Sequence, residues 1–268
     1  MPLSEAQIQQ AAAQLYHAEQ EQIQIRPLTT ALPDMDIDDA YAVQKAWVDR
    51  KIADGRRITG YKIGLTSRAM QQAMNISTPD FGVLLDDMAF PCGGEIPAHR
   101  FTDPRIEVEL AFVLKAPLAG EAVTIDEVLA ATDYVTPALE LIAARSFRVD
   151  PETGTPRNVF DTISDNAANA AYVVGDQRFA PEQIDLPWAG AMLYLNGEVE
   201  ETGLAGGVMG HPAHGIRWVC KRFARHGVTL EPGQIILSGS FTRPVIVKAG
   251  DEVMADYGPL GKVEARFL

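Results

Sequence analysis

Glu107 and Glu109 stand two residues apart in the run RIEVELAFVL (105–114), and Glu140 stands between two leucines in TPALELIAAR (136–145). Carboxylates set in apolar runs repel one another and lose hydration. A bound hard cation relieves both penalties. Three oxygen ligands suit Mg²⁺, Mn²⁺ or Ca²⁺ and leave coordination positions for water and a substrate. The competing reading is three solvent-facing acids on amphipathic strands. The histidines (His17, His99, His211, His214 and His226) and the cysteines (Cys92 and Cys220) fall in no metal-binding spacing, so no zinc site is expected.

Other segments offer acid–base and binding groups. In ITGYKIGLTS (58–67), strand alternation places Gly60, Lys62 and Gly64 on one face, leaving room beside one ammonium for a small anionic ligand. A surface lysine on a Gly-rich edge strand is the plainer alternative. STPDFGVLLDDM contributes Asp80, which also suits a turn or helix cap. VFDTISDNAANAAYVVG carries Ser164, Asp165 and Asn166, and LSGSFTRPV carries Ser238, Ser240 and Thr242, hydroxyls that an ordinary loop would also contain. There is no P-loop, dinucleotide fingerprint or G-x-S-x-G elbow.

The elements that must position these groups follow from periodicity. Ser4 and Gln7 have capping-box spacing ahead of Ile8, Ala11, Ala12 and Leu15. A second helix is expected from Asp36, with Ala40, Val43 and Trp47 on one face and Gly55 as its stop. Short β-like runs then dominate, separated by Gly, Pro and Asp, and Asn196–Gly197 marks a hairpin. One helix is expected within the β region, from Pro212 to Gly227 with Ile216, Val219, Cys220 and Phe223 as its stripe. The expected organisation is an α-rich segment at 1–74, contributing Lys62, followed by a β-rich domain at 75–268.

The chain has 268 residues and a net charge of −13. A core of useful size is affordable at that length. The acidic balance argues against nucleic-acid or anionic-membrane partners, which need a basic surface. No signal peptide or membrane span is apparent in the sequence. Two cysteines in unrelated positions fit unpaired thiols in a reducing compartment, so a cytoplasmic protein is expected.

GYKIGLTS, PDFGVLLDDM, PRIEVELAFVL, TPALELI, VFDTISDNAANA, GQIILSGSFTRPV and DYGPLGKVEARF occur in that order over nearly the whole chain. Together they resemble the hydratase and decarboxylase branch of the fumarylacetoacetate hydrolase superfamily. The resemblance implies an α+β fold, a mixed β-sandwich or β-roll with an α-rich N-terminal segment, and a homo-oligomer. It implies Mg²⁺ or Mn²⁺ on Glu107, Glu109 and Glu140, with Lys62 and Asp80 moving protons. The implied reaction adds water to 2-hydroxy-hepta-2,4-diene-1,7-dioate, giving 4-hydroxy-2-oxoheptanedioate, in aromatic-compound catabolism. The alternatives are hydration of 2-hydroxypenta-2,4-dienoate and decarboxylation of 2-oxo-hexenedioate. A silent partner subunit is disfavoured by the intact Lys62 and glutamates. The superfamily's hydrolytic His–Glu pair has no counterpart that we can place. A lysine beside a metal and apolar walls is expected to have a lowered pKa.

A dicarboxylate substrate carries a second carboxylate that the metal, holding the first, does not reach. Arginine is the natural partner for it. Arg145 and Arg148 in AARSFRVDPETGTPRNVFD, and Arg243 in SGSFTRPV, are the candidates. Arg243 is the first choice because it adjoins the hydroxyl-rich loop. Thr66 and Ser164 complete the expected substrate-binding set.

Overall fold

A computed structural model describes residues 2–67, 71–72 and 76–268. Three helices open the chain: α1 (Glu5–Glu21), α2 (Leu28–Ala31) and α3 (Ile37–Ala53). Ser4 caps α1 through the expected box with Gln7, and Asp36 caps α3 by accepting from the backbone N–H groups of Asp38 and Asp39. Leu15 and Trp47 are buried where α1 packs on α3.

Two sheets dominate the rest of the described residues. The larger contains β1 (Ile58–Gly64), β2 (Asp80–Leu85), β3 (Ala89–Phe90), β5 (Arg105–Leu114), β6 (Thr132–Ile142), β7 (Asn169–Val174), β10 (Ile235–Leu237) and β11 (Val245–Ile246). Its order is β2-β1-β10-β5-β6-β7-β3, with β11 also on β5. β1 runs parallel to β10 and β3 parallel to β7; the other pairs are antiparallel. The smaller sheet contains β4 (Gly94–Ile96), β8 (Gly190–Leu195), β9 (Glu198–Leu204), β12 (Glu252–Asp256) and β13 (Lys262–Phe267), in the order β4-β13-β12-β8-β9. Asn196 and Gly197 turn the β8–β9 hairpin with φ of 53° and 87°, the positive values the sequence predicts there. The architecture is α+β, as expected. The division expected after residue 74 lies outside the described residues; β1 and β2, on either side of it, are paired strands of one sheet.

Strand alternation decides what each face of the larger sheet holds. Val108 and Leu110 on β5, Leu139 and Leu141 on β6, and Val173 on β7 are buried in one core with Leu193, Val253 and Val263 of the smaller sheet. Each such side chain contributes about 1.5–3 kcal/mol by its burial. The opposite face carries Glu107 and Glu109, with Glu140 directly across from Glu107 in the β5–β6 register.

Beyond the expected helix, now α6 (Ala213–Ala224), the described β region holds two short ones, α4 (Ile125–Ala131) and α5 (Val159–Ser164). Their seven and six residues are too few for an apolar period to stand out. Each is closed by a capping box, Thr124 with Glu127 and Asn158 with Asp161.

Candidate active site

Glu107, Glu109 and Glu140 each offer one carboxylate oxygen to a cluster whose atoms lie within 4.8 Å of one another. Glu109 and Glu140 are only 1% exposed and Glu107 is half-buried. Burial, with Glu140 nearby, pushes the Glu107 carboxyl up to about 8, and burial with Glu140 and Glu107 pushes Glu109 well above the ordinary range. Glu109 Oε2 accepts from the backbone N–H of Gly239 at 2.8 Å, and Glu140 Oε1 accepts from Asn169 Nδ2 at 2.8 Å. These donors aim the oxygens at one point without neutralising them. Three converging oxygens, with no nitrogen or sulfur ligand among the described residues, fit a hard divalent cation.

Lys62 Nζ lies 3.2 Å from Glu140 Oε1. Burial opposes its charge, but Glu140, Asp80, Glu107 and Glu109 together outweigh burial and hold the ammonium above its ordinary pKa. The lowered value expected from the sequence is thus reversed in the chain alone, because four carboxylates surround one amine. Asp80 faces Lys62 from β2, and burial pushes its carboxyl up to about 6, with Lys62 opposing. Its Oδ1 is enclosed and has no hydrogen-bond partner among the described residues.

The glycines make this meeting possible, though not the pair the spacing suggests. A Cβ on Gly64 would lie 2.2 Å from Asp80 Oδ1 and 3.3 Å from Lys62 Nζ. A Cβ on Gly82, which is paired with Lys62 in the register, would lie 3.2 Å from Lys62 Cε and 2.5 Å from the Asn166 carbonyl oxygen. Gly60 instead abuts the backbone of Ile235 on β10.

The five groups line a cavity of about 610 Å³, which Thr66 also lines. Its wall is completed where the chain leaves the edge of β5 between β10 and β11. There Thr242 Oγ1 accepts from the Val108 N–H at 3.2 Å, and Phe241 N–H donates to the Val108 carbonyl. Of the expected arginines, Arg148 and Arg243 line this cavity and Arg145 does not. Arg145 is a correction: its guanidinium bonds Asp165 Oδ1 (3.0 Å) and the Asn169 carbonyl (3.1 Å) and stacks over Trp47 in a separate cleft. Ser164 is a second correction: it is fully buried at the end of α5, with its hydroxyl 3.9 Å from Met35 Sδ. Arg243 sits at the rim, 83% exposed and paired with Glu201 at 2.6 Å.

Three groups escaped the sequence reading. Asn169 holds Glu140, and it is delivered by Asn166, Ala167 and Ala168, three consecutive left-handed residues with φ of 52–57°. Such backbone is strained for residues other than glycine and concentrates at functional sites. Tyr257 O–H lies 2.6 Å from the Glu109 carbonyl and 2.8 Å from that of Ala138, bracing β5 against β6 behind the acids. Arg157 also lines the cavity. Asn169 and Tyr257 lie inside motifs already singled out, but only the strand register shows what they touch.

A model of the fumarylacetoacetate (FAA) hydrolase C-terminal family matches residues 59–268. The chain is 54% identical over 257 residues to the 2-oxo-hept-4-ene-1,7-dioate hydratase of Escherichia coli, covering 96% of each chain. It is 39% identical to a 2-keto-4-pentenoate hydratase of Paraburkholderia xenovorans, covering 97% of this chain and 95% of the relative. Among solved structures it resembles the 4-oxalocrotonate decarboxylase of Pseudomonas putida G7, complexed with magnesium and adipate. That match has a TM-score of 0.94 and 34% identity, and covers 99% of each chain. On a family match that spans both sheets and every acid of the cavity, the chain belongs to the fumarylacetoacetate hydrolase family.

Proposed function

We propose that this protein is a divalent-metal-dependent hydratase that adds water to 2-hydroxy-hepta-2,4-diene-1,7-dioate to give 4-hydroxy-2-oxoheptanedioate. The observation that carries the reading is the cluster of Glu107, Glu109 and Glu140 sharing one cavity with Lys62 and Asp80. The 54% identity to a hydratase of that C7 acid supports the substrate. Glu107, Glu109 and Glu140 would hold Mg²⁺ or Mn²⁺, which when bound supplies Lewis-acid polarisation of the 2-oxo acid end of the substrate.

The chain's own groups account for the protons. The dienol must lose its 2-hydroxyl proton and gain one at C-5, which yields the conjugated 2-oxo-3-ene. Water oxygen then bonds C-4 and a proton ends on C-3. Asp80 is suited to this exchange because its carboxyl titrates close to neutrality and its Oδ1 is uncommitted. Lys62 Nζ holds a proton beside Glu140 and supplies it to a carbon that must gain one, C-5 or C-3. Between them they form an acid–base couple lining one cavity. The test is turnover of the C7 dienol diacid by purified protein, before and after exhaustive chelation. The hydrated C7 acid should form only with Mg²⁺ or Mn²⁺ present. Release of CO₂ from the C6 diacid, hydration of the C5 monoacid alone, or full turnover after chelation would overturn the reading.

The enzyme is further proposed to work as a homo-oligomer in the cytoplasm. No described helix is long and apolar enough to cross a membrane, and both cysteines are free thiols. The β8–β9 hairpin leaves Met192, Val199 and Leu204 42–50% exposed along a sheet edge, with Trp188 71% exposed nearby. Such a surface fits a second copy of the chain. A stable 29.1 kDa species in light scattering would reject the assembly.

A further inference from the structure

The segment between Phe147 and Asn158 forms a small hairpin whose purpose the fold alone does not explain. Val149 and Pro156 pair antiparallel, Arg157 N–H donates to the Arg148 carbonyl at 2.9 Å, and Asp150 N–H donates to that of Thr155 at 2.9 Å. Gly154, with φ of 70°, turns the chain. Asp150 is gripped by Arg26 at 2.8 Å and by Thr30 at 3.2 Å, which ties the hairpin to the helical segment. Arg148 and Arg157 therefore face each other across a fixed ladder, and both line the cavity that holds the acids.

Two cations placed opposite each other on a hairpin are destabilising unless something lies between or beside them. Arg148 has one carboxylate partner, Asp103, which engages its Nε. Its Nη2 is enclosed and has no hydrogen-bond partner among the described residues. Arg157 Nη1 is likewise enclosed and unpartnered, and no ion pair engages its side chain among the described residues. Burial lowers the basicity of Arg157 and the neighbouring Arg148 adds to the effect, against the opposing charges of Asp165, Asp161 and Asp103, none of which makes an ion pair with it. Enclosed guanidinium donors without acceptors are rare in folded proteins because each has lost its water without replacement. An anion entering the cavity supplies the missing acceptors. A carboxylate matches best, since its two oxygens can take one N–H from each guanidinium.

We propose that Arg148 and Arg157 together seat the far carboxylate of a dicarboxylate substrate, and that this pair sets the preference for diacids over monoacids. The identity of the diacid rests on the function proposed above; the assignment of the seat does not. Arg243, the choice from sequence, is left at the rim with Glu201.

The test uses the Mg²⁺-loaded full-length protein with Arg157→Met, which keeps bulk and removes charge, and Arg157→Lys. The first readout is the ratio of kcat/KM for the C7 diacid to that for the C5 monoacid, which is independent of the folded fraction. The ratio should fall at least about tenfold in Arg157→Met, the scale of a lost charge-assisted pair, and recover in part in Arg157→Lys. The second readout is calorimetric binding of heptanedioate against hexanoate, whose difference in affinity should shrink by a similar factor. An unchanged ratio with unchanged heptanedioate binding overturns the proposal. If the wild-type protein hydrates only the monoacid, the proposed function fails, while the two binding titrations still decide the arginine seat.

Discussion

Two clefts in this protein are lined with charge, and they differ in whether the charge balances. The cleft beside Arg145, about 440 Å³, lies between the helical segment and the larger sheet. There, among the described residues, each buried cation has an acid: Lys51 pairs with Glu19 at 3.0 Å and Asp87 at 3.5 Å, and Arg145 with Glu19 at 3.7 Å and Asp165 at 3.0 Å, while the exposed Arg56 meets Asp87 at 3.3 Å. In the cavity of about 610 Å³, four carboxylates face one ammonium, while two guanidinium edges nearby lack acceptors. Charged lining alone therefore says little about function. A charge set that closes on itself stabilises the junction of two elements. A set left open needs a cation at one part and an anion at another, and the fold tolerates it only because Val108, Leu139 and their neighbours anchor the same strands from the other face.

The largest effect expected from breaking the open set is at Glu109. Glu109→Gln keeps the shape and an acceptor for Gly239 N–H but removes a charge from the cation site. Divalent-cation affinity and turnover should both fall by more than the ~10–100-fold that follows loss of a ligand's supporting group, and excess Mg²⁺ should not restore turnover. Retention of wild-type affinity in a cation titration would remove Glu109 from the site. Lys62 comes next. Lys62→Met should lower turnover at least ~100-fold, the scale of a lost general acid or base. Cation affinity should hold or rise, since Nζ competes for Glu140 at 3.2 Å. Near-normal turnover would make Lys62 only a neutraliser of the acids.

The open set was legible in sequence to the extent that it lies on strands. Period-two alternation put Glu107 and Glu109 on one face, and an acid between leucines exposed Glu140 as their companion. Lys62 and Asp80 needed the family resemblance, because a lysine between glycines and an aspartate after a proline are common. Gly82 was not legible at all: its role depends on standing opposite Lys62 in the β1–β2 register. The arginines show the same limit. Arg148 and Arg157 flank the turn-rich DPETGTP, a spacing from which a hairpin would have placed them side by side. Ser164 was misplaced because α5 is a helix, which turns the hydroxyl towards Met35 instead of the cavity. Arg145 was chosen for charge and position in a substrate-facing segment, neither of which reveals that Asp165 and Asn169 lie within reach.

Arg145 supplies the sharpest test of the comparison, and the smallest expected effect on turnover. Its side chain is 5% exposed, and both Nη atoms of its guanidinium are engaged, by Asp165 and the Asn169 carbonyl, over the Trp47 ring, with Nε 3.7 Å from Glu19. Arg145→Met removes one partner of a buried pair and leaves Asp165 without its hydrogen-bonded counter-charge, with only Arg157 near enough to oppose the loss. Loss of one partner in such a pair destabilises a protein by about 3–5 kcal/mol, and a reduced urea midpoint should register it. The same guanidinium holds the backbone of Asn169, whose side chain bonds Glu140, so the mutation reaches the active cavity only through one carbonyl. The fraction that stays folded should therefore keep the KM of the C7 diacid within roughly twofold, a difference under about 0.4 kcal/mol. A closed charge set would thus fail as structure while the open one keeps working. Unchanged stability with a KM raised tenfold for the diacid would mean that the second cleft also receives substrate, and that the balance of charge does not separate the two.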